Sequence, residues 1–213
     1  MKLEELEAKY IELEENYKRL QSSVRVLQDV EEIKRLQRMY GYYIEHWQRD
    51  EIIALFSNDP DTTVEIGAGY FHGKESIERL FGRFGKQAPP EFLHMLSQIC
   101  PVVDVDPDGK TASGRWYGFG CLSVDLQGKT SPILNTGIYE NEYVKEDGKW
   151  KFKTLRFYLT FFSPFEDGWV KSPIPPGWPA NSELKPDRES STRKPYPSGF
   201  IVPYHYKHPI TGK

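Results

Sequence analysis

Residues 94–117 read HMLSQICPVVDVDPDGKTASGRWY. Two β-prone runs flank DPDGK at 106–110, and the Asp, Pro and Gly between them are turn formers. The stretch therefore predicts a hairpin. Two further turn signals, LQGK at 126–129 and KEDGK at 145–149, extend it to four strands at about 91–105, 111–125, 132–145 and 149–163. Working upstream, the pattern changes. KESIERLFGRF at 74–84 has helical spacing, TTVEIGAGYFHG at 62–73 reads as two short strands around a Gly-containing turn, and DEIIALFS at 50–57 is a short helix. Helices followed by a run of hairpins predict an α+β fold, with the helices on one face of a curved antiparallel sheet.

The two ends of the chain differ from this middle. Leu3, Tyr10, Tyr17 and Val24 recur every seven residues, and Leu6, Leu13, Leu20 and Leu27 follow three places later. This is an a/d pattern over four heptads. In a parallel pair, Lys2 would face Glu7 of the other helix and Lys9 would face Glu14. The helix either self-associates or folds back on its own domain. The register slips after Leu27, and Val30, Ile33, Tyr40, Ile44 and Trp47 form a new stripe, on a second helix or a bent continuation. At the other end, residues 164–213 hold ten of the 16 prolines, together with Phe165, Trp169, Trp178, Tyr196, Phe200, Tyr204 and Tyr206. Proline excludes helix and central strand, and so many rings are unusual in a disordered tail. An extended arm packed on its own surface or a neighbour's is expected. The divisions are thus 1–29, 30–163 and 164–213.

A chain of 213 residues with 38% hydrophobic and 14% aromatic content can build one sizeable core. Its formal charge of −3 gives no electrostatic basis for nucleic-acid binding, and no apolar run reaches membrane-spanning length. MKLEELEAKY, at the start, lacks the apolar core of a secretion signal. Cys100 and Cys121 read as two reduced thiols, so a cytoplasmic protein is expected.

His94 stands out because it is an ionisable ring in a strand that otherwise reads as core. Strand alternation groups Phe92, His94, Leu96 and Gln98 on one face. It likewise groups Arg115 with Tyr117 and Phe119, Asn135 with Gly137 and Tyr139, and Arg156 with Tyr158 and Thr160. If these faces meet, they line an apolar chamber with a few fixed polar points, as a small-molecule site requires. The alternative is that they form a wet outer face.

Three phrases carry a family resemblance. They are residues 33–81, IKRLQRMYGYYIEHWQRDEIIALFSNDPDTTVEIGAGYFHGKESIERLF; residues 94–117, quoted above; and residues 137–157, GIYENEYVKEDGKWKFKTLRF. Together they resemble the SnoaL-like family of the NTF2-like superfamily, over about residues 30–163. The resemblance implies a cone in which a bent sheet wraps a cavity closed by helices. Members include scytalone dehydratase, bile-acid dehydratase, polyketide cyclases and cofactor-free lyases of lignin-derived aromatics, and others only bind or assemble. Fold alone settles no reaction.

By that resemblance Tyr40 and Glu45 match the tyrosine and acid of the dehydratases' first helix, and His94 matches their histidine. Arg115 stands at a second basic position, and Asn135 resembles an amide. Arginine does not act as a base near neutrality, so Arg115 is expected to hold an oxyanion or carboxylate. Residues five apart lie about 140° apart on a helix, so Tyr43 and Asp50 stand as substitutes for Tyr40 and Glu45, and Gly41 offers a bend. In the implied mechanism His94 is the base, oriented by Glu45, and a tyrosine donates to the leaving hydroxyl. Arg115 and Asn135 stabilise negative charge. Trp47, Phe92, Tyr117, Phe119, Tyr139, Arg156 and Tyr158 form the substrate walls. The expected function is a lyase without metal or cofactor, releasing water or formaldehyde from a bulky hydroxylated aromatic, in a homo-oligomer (dimer or trimer) with no nucleic-acid or membrane partner. An isomerase, a cyclase, or a non-catalytic binding or assembly protein is the alternative. His205 and His208 lack further ligands for a metal, GAGYFHG lacks the lysine of a phosphate loop, and no GxSxG elbow occurs.

Overall fold

The computed structural model describes residues 3–126, 128–176, 178 and 184–213. Lys2 of the first charge pair, Gln127 of the second turn and Pro179 of the arm lie outside the described residues. The helices are α1 (Leu3–Glu45), α2 (Arg49–Ala54), α3 (Gly73–Gly82) and α4 (Gly168–Lys171). The strands are β1 (Thr63–Ile66), β2 (Gly69–His72), β3 (Leu93–Val105), β4 (Thr111–Leu126), β5 (Lys129–Glu146) and β6 (Lys149–Pro164). They form one sheet in the order β2-β1-β6-β5-β4-β3. All pairs are antiparallel except β1 with β6. The fold is the expected α+β, and the three long hairpins turn where the Asp-Gly and Gly-Lys signals stand. Among the described residues, no helix is long and apolar enough to cross a membrane.

Residue 30 marks no break. Helix α1 runs unbroken, because no Gly or Pro interrupts residues 3–40. What changes is the environment: residues 3–28 are exposed, while Ile33, Leu36, Tyr40 and Ile44 are buried against the sheet. Gly41 supplies a close approach rather than a bend, since a Cβ there would meet the Gln98 side chain of β3. A buried polar network fixes the packed half. Gln37 Oε1 accepts from Asn141 Nδ2 (3.0 Å) and from the Tyr143 hydroxyl (2.9 Å), which itself accepts from Trp116 Nε1. Two residues past the helix, Trp47 adopts a positive φ of 49°. That reversal drives its ring into the core, where Nε1 donates to the Phe81 carbonyl at 2.8 Å.

The C-terminal segment packs on the chain's own sheet. Tyr158 stacks on Phe200, and the Leu159 and Tyr196 amides bond Thr192 and Thr160. Nearer its start, Trp178 stacks on Phe162 at 4.2 Å, and Pro173 accepts from the Phe162 amide.

Candidate active site

A cavity of about 1060 Å³ lies between the inner face of the sheet, the C-terminal half of α1, and α3. Pro175, Pro176 and Trp178 also line it, so the arm contributes to the cavity wall of its own chain. Helix α1 contributes Tyr40 and Ile44, with Trp47 just beyond its end. Strand β3 contributes His94 and Leu96, with Phe92 just before it, β5 contributes Asn135 and Tyr139, and β6 contributes Phe157, Leu159 and Phe162. Each strand presents alternate residues, as the pleat requires, with bulges at Ile99/Val102 and Thr136/Gly137 curving the sheet.

His94, Asn135, Tyr40, Tyr139 and Arg83 place polar groups in this apolar wall, and Glu91, Ser123, Asp125 and Thr130 line it as well. The His94 ring stacks on Phe92 with centroids 6.1 Å apart. Its Nδ1 is sealed in the wall without a hydrogen-bond partner, so Nε2 is the nitrogen open to a ligand. Burial pushes the imidazole pKa down to about 4, the positive charge of Arg83 adds to this, and its own backbone carbonyl opposes it weakly. The ring is therefore neutral at physiological pH. Tyr40 and Tyr139 meet edge to face at 6.5 Å. Burial raises both phenols well above 10; Arg83 opposes the shift at Tyr40, and Tyr40 adds to it at Tyr139. Both hydroxyls stay protonated and can donate. Asn135 is buried, and its Oδ1 has no partner.

The other expected site residues lie elsewhere. Glu45 and Tyr43 do not line the cavity; the face of α1 that does so runs through Tyr40 and Ile44, and the angular offset foreseen for position 45 turns Glu45 away. Among the described residues no carboxylate pairs with His94, so the expected histidine–acid pair does not form there. Asp50 is an exposed partner of Arg49 and Lys86. On β4 the alternation takes the opposite phase. Trp116 and Leu122 point inward, and Gly118 and Gly120 share their face. The glycines make room there, since a Cβ at Gly118 would meet Phe157 and Tyr139. Tyr117 and Phe119 consequently lie outside, 53% and 52% exposed.

Arg115 is also on that outer face, yet buried. It pairs with Glu140 at 2.7 Å, donates to the Pro203 and Val202 carbonyls at 3.0 and 3.2 Å, and lies 4.3 Å from the Tyr204 ring. His205 bonds the same Glu140 through Nδ1 and approaches Asp104 through Nε2. Arg115 thus anchors the arm and does not meet the cavity. Arg156 and Tyr158 are outward for the same reason: Leu155, Phe157 and Leu159 fill the inward phase of β6. Arg156 pairs with Glu65 at 3.6 Å, and Tyr158 lies under Phe200.

The sequence from residue 25 to residue 156 matches the family described as the SnoaL-like domain, which is more than half of the chain. The chain belongs to the SnoaL-like family. Solved structures agree on the NTF2-like fold. A hexachlorocyclohexane dehydrochlorinase (LinA, type 2) superposes with a TM-score of 0.58 at 20% identity, covering 73% of this chain and 99% of that one. A candidate scytalone dehydratase from Novosphingobium aromaticivorans gives 0.57 at 19%, over 67% and 91%. A protein of unknown function from Mycobacterium tuberculosis gives 0.53 at 16%, over 74% and 83%. No curated protein matches the sequence.

Of the site residues expected in this SnoaL-like chain, the structure brings together His94, Tyr40, Asn135, Trp47, Phe92 and Tyr139 around one cavity. Sequence reasoning missed Arg83, which follows α3 and enters the same cavity. The signal was a single cation between Gly82 and Phe84 in an otherwise apolar helix end, the place where a solvated residue is ordinarily read. The arrangement offers a neutral acceptor, neutral donors and one fixed positive charge in apolar surroundings. That set can accept a proton from carbon and stabilise the anion left behind. Among the described residues, no group of three or more His, Cys, Asp and Glu side chains is arranged to hold a metal ion.

Proposed function

We propose that this SnoaL-like protein is a cofactor-independent lyase acting on a bulky hydroxylated aromatic or polycyclic molecule, with loss of water or formaldehyde. The observation that carries the reading is a neutral histidine facing an apolar chamber of this size together with Tyr40, Asn135 and Arg83. In the dehydration, His94 Nε2 takes the proton as the C–H bond breaks and the C=C bond forms. The C–O bond breaks, and the hydroxyl leaves as water with the proton of Tyr40. Imidazolium and phenolate then neutralise each other through solvent after release. Arg83 stabilises the negative charge that builds up on the substrate, the role assigned by resemblance to Arg115. The names of the dehydrochlorinase and dehydratase neighbours support elimination chemistry by analogy of fold.

One observation favours a second reading. Among the described residues no carboxylate orients His94, and a ring lowered to about 4 is a weak base. A binding protein would use the same chamber without turnover. The test is a mass-spectrometric screen of hydroxylated diaryl propanoids, polyketide-like phenols and hydroxysteroids with wild type and His94→Ala. Loss of water or formaldehyde by wild type alone supports the lyase; binding of unchanged ligand by both proteins supports the second reading.

The chain is also proposed to form a homo-oligomer, dimer or trimer, through the first half of α1. Leu6, Tyr10, Leu13, Tyr17, Leu20, Val24 and Leu27 are all exposed there, an unpartnered seam with complementary Lys9 and Glu14 beside it. A second copy in parallel register is the occupant whose charges fit. Sedimentation of the full chain and of a chain lacking residues 1–28 should give an oligomer and a monomer respectively; two monomers would sink the proposal.

A further inference from the structure

The charge balance of the cavity bears on the substrate. Arg83 is its only arginine or lysine among the described residues, and no described carboxylate pairs with it. Two rings hold the guanidinium instead, with its carbon 4.4 Å from the Trp47 centroid and 4.7 Å from that of Phe84. Neither of the two acids among the lining residues pairs with it: Asp125 accepts from the Gly128 amide at 2.6 Å, and Glu91 makes no ion pair among the described residues. Burial lowers the guanidinium pKa to about 10, which leaves it charged at neutrality. An arginine fixed by aromatic faces and lacking a carboxylate is pre-organised for an anion that arrives with a ligand.

The position also limits the anion. Arg83 caps the C-terminus of α3, where the helix dipole presents negative charge. Arg49, whose Nε lies 3.6 Å from where a Cβ on Gly82 would sit, and Lys86 are both paired with Asp50, and neither lines the cavity to neutralise a dianion. A single negative charge spread over a planar group fits, and a phosphate dianion does not. Resting on the reading of the cavity as a small-molecule site, we infer that the substrate is an aromatic carboxylic acid whose carboxylate binds Arg83 while its ring system fills the apolar chamber between Trp47, Phe92 and Phe162. Arg83 is thereby a specificity-determining residue, and His94 faces the body of the same ligand.

The test is equilibrium binding, which needs no turnover. By calorimetry, 2-naphthoate and its neutral counterpart 2-naphthylmethanol are titrated into wild type, Arg83→Gln, Arg83→Lys and His94→Ala, each checked for folding by circular dichroism. Wild type should prefer the naphthoate. Arg83→Gln should weaken naphthoate by roughly tenfold or more and leave naphthylmethanol unchanged, since a hydrogen bond to a charged group is lost only with the acid. Arg83→Lys should recover part of the preference, and His94→Ala should keep it. Equal weakening of both ligands by Arg83→Gln, no preference in wild type, or no binding of either ligand would overturn the inference. His94-dependent turnover of neutral compounds with no preference for naphthoate would defeat it alone and leave the lyase reading standing. A clear Arg83-dependent preference without turnover would do the reverse.

Discussion

The buried imidazole ties the candidate site to the stability of the whole fold. His94 titrates near 4 in the folded protein and near 6.5 once unfolded. Between these values the unfolded chain binds more protons, so stability rises with pH. The contribution is fully present above the unfolded value and is lost as pH falls toward the folded one. One pKa unit corresponds to about 1.4 kcal/mol, so acidification from about pH 7 to about pH 5 should cost about 2 kcal/mol, and to about pH 4 about 3 kcal/mol. The perturbation is His94→Gln, which cannot titrate. Urea unfolding followed by tryptophan fluorescence, at several pH values for both proteins, isolates the term, because His46, His72, His205 and His208 contribute equally to each. The wild type should lose about 2 kcal/mol more than the variant by about pH 5. Parallel pH profiles would refute the argument, showing that the ring is hydrated or paired in solution.

The remaining predictions concern chemistry, close packing and the arm. If His94 is the base, the acid limb of kcat/KM should lie near 4, well below an ordinary histidine limb, and a limb near 6.5 would assign the proton transfer to another group. Gly120→Ala puts a Cβ into the Met95 carbonyl of the neighbouring strand and should lower stability by about 3 kcal/mol. Gly41→Ala meets only the flexible end of Gln98 and should cost less than about 1 kcal/mol, because the helix gains from alanine; thermal melts of the two variants check the order. Arg115→Ala leaves Glu140 buried without its cation and should cost about 3 kcal/mol. It should also expose the half-buried Arg193 to trypsin, and an unchanged digestion pattern would contradict its role as the arm's anchor.

The parts of the fold set by local chemistry were readable. Each hairpin followed from its turn, and His94 with Phe92 and Leu96 followed from simple alternation on β3. On β4 and β6 alternation alone was ambiguous, because each phase offers aromatic residues. Gly118 and Gly120, which decide the phase on β4, look like weak strand residues until the rings that fill their space are seen. Arg115 misled for a long-range reason: its burial comes from residues 202–205, nearly ninety positions on. Glu45 and Arg83 failed in opposite directions. An offset of about 140° from Tyr40 around the helix removed the first from the site, and the path of the chain after α3 brought in the second. Neither displacement leaves a mark in local pattern.

The unbroken course of α1 links events at its two ends. The helix has 43 residues, about 65 Å of continuous hydrogen bonds. Its first turns carry the unpartnered seam, and its last turns hold Tyr40 and Ile44 against the chamber. No Gly or Pro joint separates the two over residues 3–40, so a partner gripping the proposed seam would act on the same rod that walls the cavity. If a second copy binds there as proposed, assembly and occupancy would be coupled through this one element, because whatever steadies the outer turns would lower the entropy still to be lost when a ligand settles beside Tyr40.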